Sequence, residues 1–128
     1  MGSRQSGVID TTIFVDIIRK YTPAIDWSRN HLHCLTTPFT VMELLQGARN
    51  ASNQQIALKV LREFGRVYPV PMDLDWAEQQ FIKYHLSHNV GMYDCLIASI
   101  CFRLQIPLYT HNPKHMKPIL GDLAVKPY

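Results

Sequence analysis

The segment GVIDTTIFVDIIRKY, residues 7–21, decides the fold. Its first four residues read as a short buried strand, with Val8 and Ile9 apolar and Asp10 at the end. From Thr11 the period changes. Ile13, Phe14, Ile17, Ile18 and Tyr21 recur at helical spacing, and Asp16, Arg19 and Lys20 fall elsewhere on the helix. A strand running straight into an amphipathic helix is half of a βαβ unit.

The same alternation continues outward. TPAIDWSRNHL carries Pro23 near a helix start, and HCLTT reads as a second strand. TPFTVMELLQGA opens with Thr37 as N-cap and Pro38 at the first helical position, and Gly47 loosens its end. In NQQIALKVLREFG the stripe is Ile56, Val60, Leu61 and Phe64, with Gly65 expected at the C-terminal cap. VYPVPM reads as a strand whose prolines suit an edge or a bend. Asp73 or Asp75 is expected to cap the helix WAEQQFIKYHLSH. After Gly91, the run from Asp94 to Leu104 is apolar over much of a helix circumference. IPLYT then reads as a strand, HNPKHMKPI as a loop or short helix, and LAVKP as a last strand. The expected architecture is a three-layer α/β/α domain, a mostly parallel central sheet flanked by helices.

Composition bounds the class. With 128 residues, 47% hydrophobic and 18% charged, the chain suits one domain with a real core rather than disorder. Apolar runs fall short of the roughly 20 residues that span a bilayer. No secretory signal is evident, so a cytoplasmic protein without membrane contact is expected. Residues 1–7 read as a flexible start or an expression remnant, and residues 8–128 as the domain. Cys34, Cys95 and Cys101 make an odd count without CxxC, which suits buried thiols in a reducing compartment. The net charge of +3 hints at polyanion contact.

Acids are scarce, seven aspartates and three glutamates, so their placement carries information. Asp10 ends the first strand, Glu43 sits in the apolar VMELL, and Asp94 opens the buried helix. Asn112 follows the IPLYT strand by two residues. Ligand sites in parallel α/β sheets form beyond the carboxyl ends of strands. Each residue also has a local explanation: Asp10 and Asp94 as helix caps, Glu43 in a capping box with Thr40, Asn112 in a turn before Pro113. Gathered together, three carboxylates would repel and some pKa values would rise. A divalent cation such as Mg²⁺ or Mn²⁺ resolves this, because it prefers oxygen ligands. Such an ion polarises a phosphoryl oxygen and acidifies water, the chemistry of phosphodiester hydrolysis.

VIDTTIFVDIIR, TVMELLQGA and GMYDCLIASICFRLQIPLYTHNPKHM resemble, in order and spacing, the motifs of PIN-domain proteins, nearest to the VapC-type toxin ribonucleases of toxin–antitoxin pairs. The resemblance runs from about Val8 to Val125. It places Asp10, Glu43 and Asp94 at the family's first, second and third acids, and Asn112 at the polar residue after the last core strand. Many relatives carry a further aspartate where this chain has His115, which favours one firmly bound Mg²⁺ or Mn²⁺ and leaves a second ion to arrive with substrate. The resemblance implies a metal-dependent endoribonuclease that hydrolyses RNA by a metal-activated water. Asp10 and Asp94 would hold the ion directly, Glu43 directly or through water, and Asn112 would orient a water or a phosphate oxygen. Thr12, His111, Lys114 and His115 are the candidate substrate contacts. A homodimer and a small antitoxin partner are also implied.

Competing chemistries have little anchor. The histidine pairs His31 and His33, His85 and His88, and His111 and His115 match no zinc-finger spacing. GxSxG, the P-loop and GxGxxG are absent. A PIN-like RNA-processing or RNA-binding module with weak or no cleavage is the alternative function. Clustered negative charge facing RNA would not serve a pure binder.

Overall fold

One residue, Asp10, directly follows the first strand and caps the first helix, and this junction sets the plan of the whole domain. The computed structural model describes residues 6–128. In chain order the elements are β1 (Val8–Ile9), α1 (Thr11–Ile18), α2 (Thr22–Arg29), β2 (Leu35–Thr36), α3 (Pro38–Gln46) and α4 (Ala51–Leu61). They continue with β3 (Gly65–Arg66), α5 (Pro71–His88), α6 (Met92–Leu104), β4 (Leu108–Tyr109), α7 (Pro113–Leu120) and β5 (Ala124–Val125), the last two joined by a 3₁₀ turn over Gly121–Leu123.

The five strands form one sheet in the order β3-β2-β1-β4-β5, with every pairing parallel. Val8 pairs with Leu35 on one side and Leu108 on the other, and Ile9 pairs with Tyr109. Successive strand residues face opposite sides, and the two cores follow. Val8 and Leu108 join Ala77, Cys95, Ile97 and Met116 on the face covered by α5, α6 and α7. Ile9 joins Ile13, Phe14, Val41, Leu44 and Leu61 on the face covered by α1, α3 and α4. The domain is therefore three layers, helices on both faces of a parallel sheet, as expected.

The strand order reverses at β1. The chain steps from β1 to β2 and β3 on one side, then returns to place β4 and β5 on the other. A crevice opens beyond the carboxyl ends of strands at such a switch point. Asp10 follows β1 and Thr110 follows β4, so these residues flank it.

Several local expectations shift. Tyr21 is half exposed and begins α2, because Lys20 adopts a left-handed φ of 63° and turns the chain out of α1. Gly65 does not cap α4. That helix stops at Leu61, and Gly65 opens β3 instead, ahead of the expected VYPVPM strand. Its pairing with Leu35 takes the sheet edge two residues earlier, and Pro69 and Pro71 then break the extended run. Ile56 lies on the outside of α4, where Ala57 and Leu61 are buried. Asp73 does cap α5, but from inside its first turn: Oδ2 accepts from Val70 N at 2.9 Å. Of the two readings of HNPKHMKPI, the short helix is found, as α7 from Pro113 onward. The three thiols are buried and unpaired, as expected.

Of the expected flexible start, residues 1–5 lie outside the described residues. Gly7 is packed into the sheet margin. Its carbonyl accepts from Leu35 N at 2.8 Å, and a side chain there would fall 2.9 Å from the Pro107 carbonyl oxygen.

Candidate functional site

Asp10 is held by its neighbours. Oδ1 accepts from Thr11 N at 2.9 Å, the N-cap bond of α1, and Oδ2 accepts from the Thr110 hydroxyl at 2.8 Å. Thr12 lies 3.3 Å from the same oxygen and receives His111 N at 3.1 Å. Asp10 is only 6% exposed; one hydroxyl on it comes from Thr110 just after the neighbouring strand β4 and the other from Thr12 in the first turn of α1. Burial pushes its carboxyl above the ordinary range, the Thr110 hydrogen bond opposes this, and the charge of Asp94 adds to the rise.

Glu43 projects from the middle of α3. Thr37 caps that helix by accepting from Thr40 N at 3.0 Å, so Thr40 is not the cap and the capping-box reading of Glu43 is overturned. Instead Glu43 Oε1 accepts a short hydrogen bond from the Thr11 hydroxyl. Burial raises its carboxyl too; the Thr11 bond works against this, and the charges of Asp10 and Asp94 push further upward.

Asp94 is the third residue of α6, not its N-cap. Its Oδ2 accepts from Gly91 N at 2.9 Å, the reach-back bond of a helix first turn, where a carboxylate also meets the positive end of the helix dipole. The same oxygen receives His115 Nε2 at 3.1 Å, from α7. Asp94 thus has both a capping role and a place in the field of the other two acids.

These three carboxylates, separated by 33 and 51 residues in sequence, act electrostatically on one another. Among the described residues, no lysine or arginine forms an ion pair with any of them, and Glu43 Oε2 and Asp94 Oδ1 accept no hydrogen bond. Nor, among the described residues, do any three His, Cys, Asp or Glu side chains stand close enough together to hold a metal ion as they are placed. The acids share a field, not a single point. The donor set still suits a hard divalent cation: all oxygen, net negative, and partly starved of counter-charge. Thiolate chemistry is disfavoured, since burial, assisted by Asp94, pushes Cys95 to about 11, and burial raises Cys101 further.

The other predicted contacts separate. Asn112 is exposed at the start of α7; its backbone N donates to Thr110 Oγ1 at 3.3 Å, and its side-chain amide caps nothing. His111 turns away from the acids, with Nδ1 3.5 Å from Asp16. Lys114 is exposed on α7. Tyr109 packs edge-on against Trp27, 5.0 Å between ring centres, as a core residue. Sequence reasoning missed Thr11 and Thr110, the two hydroxyls that orient Glu43 and Asp10. Thr110 had one signal available, its position at the carboxyl end of a strand beside β1.

Together the fold and these residues define an α/β domain with Asp10 and Thr110 beyond the carboxyl ends of adjacent parallel strands and Glu43 and Asp94 in electrostatic reach of Asp10. The PIN domain family model matches residues 7–117, and the chain belongs to that family. Among solved structures, a chain of a toxin–antitoxin complex from Klebsiella pneumoniae superimposes with a TM-score of 0.76 at 21% identity, covering 96% of this chain and 98% of that one. At that identity the likeness is one of fold. No curated protein matches by sequence.

Proposed function

We propose that the protein is a metal-dependent endoribonuclease, the toxin of a toxin–antitoxin pair, acting in the cytoplasm. The single observation that carries this reading is the set of mutually repelling carboxylates, Asp10, Glu43 and Asp94, lacking a lysine or arginine partner among the described residues. Asp10 and Asp94 would hold Mg²⁺ or Mn²⁺, with Glu43 joining directly or through water. When bound, the cation supplies Lewis-acid polarisation of a phosphodiester oxygen and acidification of water. Thr110 and Thr12 fix the Asp10 carboxylate by donating to Oδ2, and Thr11 fixes Glu43. The backbone of Gly91 holds Asp94 at the same time. Asn112, exposed at the mouth, is free to meet a water or phosphate oxygen. His115 stands where many relatives carry an acid and places a donor on Asp94.

Membership of the PIN family supports phosphodiester hydrolysis, and the fold shared with a chain of a toxin–antitoxin complex supports the toxin role. Among the described residues no helix is long and apolar enough to cross a membrane. The exposed Met72, Ile82 and Leu86 of α5 give apolar surface of the kind that a second copy or an antitoxin covers.

Asp94→Asn keeps the size of the side chain and removes its charge. Cleavage of single-stranded RNA with Mg²⁺ or Mn²⁺ is expected to fall on the order of 10²–10³-fold, the scale of losing one preorganised electrostatic group. Circular dichroism should be unchanged. Equal cleavage by purified variant and parent would reject the assignment. Growth arrest on expression, relieved by a cognate small partner, separates the toxin from an RNA-processing module.

A further inference from the structure

Beside the acid site lies a pocket of about 290 Å³ enclosed by α1, α3, α4 and the turn between the last two. Thr11 and Glu43 belong to its wall, so it shares one of the three acids, Glu43, with the candidate site. Its floor is apolar, made by Val15, Ile18, Leu44 and Ala57. Arg19 and Arg49 also line it, one at the end of α1 and the other just after α3. Both arginines are exposed, and neither forms an ion pair among the described residues.

Two unpaired guanidinium groups around an apolar floor call for an occupant with an anionic part and a flat apolar part. Arginine matches phosphate geometry through its planar fork, and its face also accepts a stacked base. The size suits one nucleotide rather than a folded element, and the volume sits near the lower end for small-molecule sites. Position adds the decisive constraint. A strand whose phosphodiester lies at Asp10, Glu43 and Asp94 must place an adjoining nucleotide close by, and this pocket borders Glu43 and its partner Thr11.

We propose that this pocket binds the nucleotide next to the scissile phosphodiester, its base on the Val15–Leu44 floor and its phosphate held by Arg19 and Arg49. This rests on the ribonuclease reading above and adds where the substrate strand runs. The bound nucleotide would set the register of cleavage, and the depth of the floor would set which bases are accepted.

The test measures binding of a short fluorescein-labelled single-stranded RNA by anisotropy, with Mg²⁺ and in an Asp94→Asn background. Arg19→Gln with Arg49→Gln should weaken binding on the order of tenfold and lower the slope of log Kd against log salt by about one to two. Ala48→Trp, which fills the pocket from its half-buried turn, should weaken binding with little change in that slope. With Asp94 intact, the same variants should raise KM for RNA cleavage more than they lower kcat. If the parent cuts RNA and all variants bind and cut as it does, the subsite is wrong and the nuclease stands. If the arginines govern affinity for an acidic apolar peptide and leave RNA affinity unchanged, the pocket belongs to a protein partner and the proposal falls. If the parent neither binds nor cuts RNA, both readings fall.

Discussion

Asp10 and Glu43 are charged groups kept where charge is costly, and that cost has a measurable sign. Burial first, then the neighbouring carboxylates, raise both folded-state pKa values above their ordinary 3.8 and 4.5. Between each ordinary value and its raised one, the native state binds more protons than the unfolded chain. The associated stability is therefore complete below the unfolded values and is lost as pH rises through the folded ones. Glu43→Gln removes one of these titrations and relieves repulsion on Asp10. In metal-free buffer the variant should gain stability relative to the parent as pH rises from about 4 into the neutral range. Urea midpoints at a series of pH values check this, and parallel curves would contradict it. The three acids stand out in the sequence, because carboxylates next to apolar runs are rare in this chain, and the structure places them within one another's field. Their hydroxyl partners were not, since a threonine after a strand is ordinary until the strand order puts Thr110 against Asp10.

Elements were legible where one periodicity dominated. The helices from Thr11, Pro38 and Asp94 onward read correctly, because an apolar stripe or a Thr-Pro start specified them. The strands were harder. Each is only two residues long, so little alternation exists to detect, and β3 at Gly65–Arg66 carries no apolar side chain at all. Its place comes from pairing with Leu35 and Thr36, a long-range fact. Helix α5 shows how a single acid stitches elements together. Buried Asp73 accepts from Val70 N, and Arg103 Nε of α6 lies 2.9 and 3.0 Å from its two oxygens. Arg103 also donates to the Tyr68 carbonyl at 3.3 Å. Asp73→Asn keeps one acceptor and loses the charge, leaving the guanidinium poorly matched. It should cost about 1–3 kcal/mol, read from denaturant midpoints. Cleavage per folded molecule should stay at the parental level, because this junction lies at the far end of α6 from Asp94. A large loss of activity without loss of stability would show that the two ends are coupled.

Across the whole molecule, a basic chain of net charge +3 keeps three of its ten acids in one another's electrostatic field near the switch point of the sheet. Two separate cores hold that arrangement: Asp10 directly follows the strand shared by both, Glu43 is on a helix of one face and Asp94 on a helix of the other. Only the native fold puts these acids in one another's field, and an ion that bound them would bind the native state alone. Such binding stabilises by RT ln(1 + [L]/Kd), about 2.7 kcal/mol when the ion is present at a hundred times its Kd. For a domain of this size that corresponds to a rise in Tm of several degrees. The parent should therefore melt later as Mn²⁺ or Mg²⁺ is added, with the shift growing with the logarithm of concentration once the ion exceeds its Kd. Asp10→Asn combined with Asp94→Asn should start from its own Tm and hardly respond. Calcium at equal ionic strength, tested on the same pair, separates general screening from a site built for smaller ions. Equal shifts in parent and double variant would mean that the ion binds elsewhere, and the carboxylates would then need another explanation for their shared field.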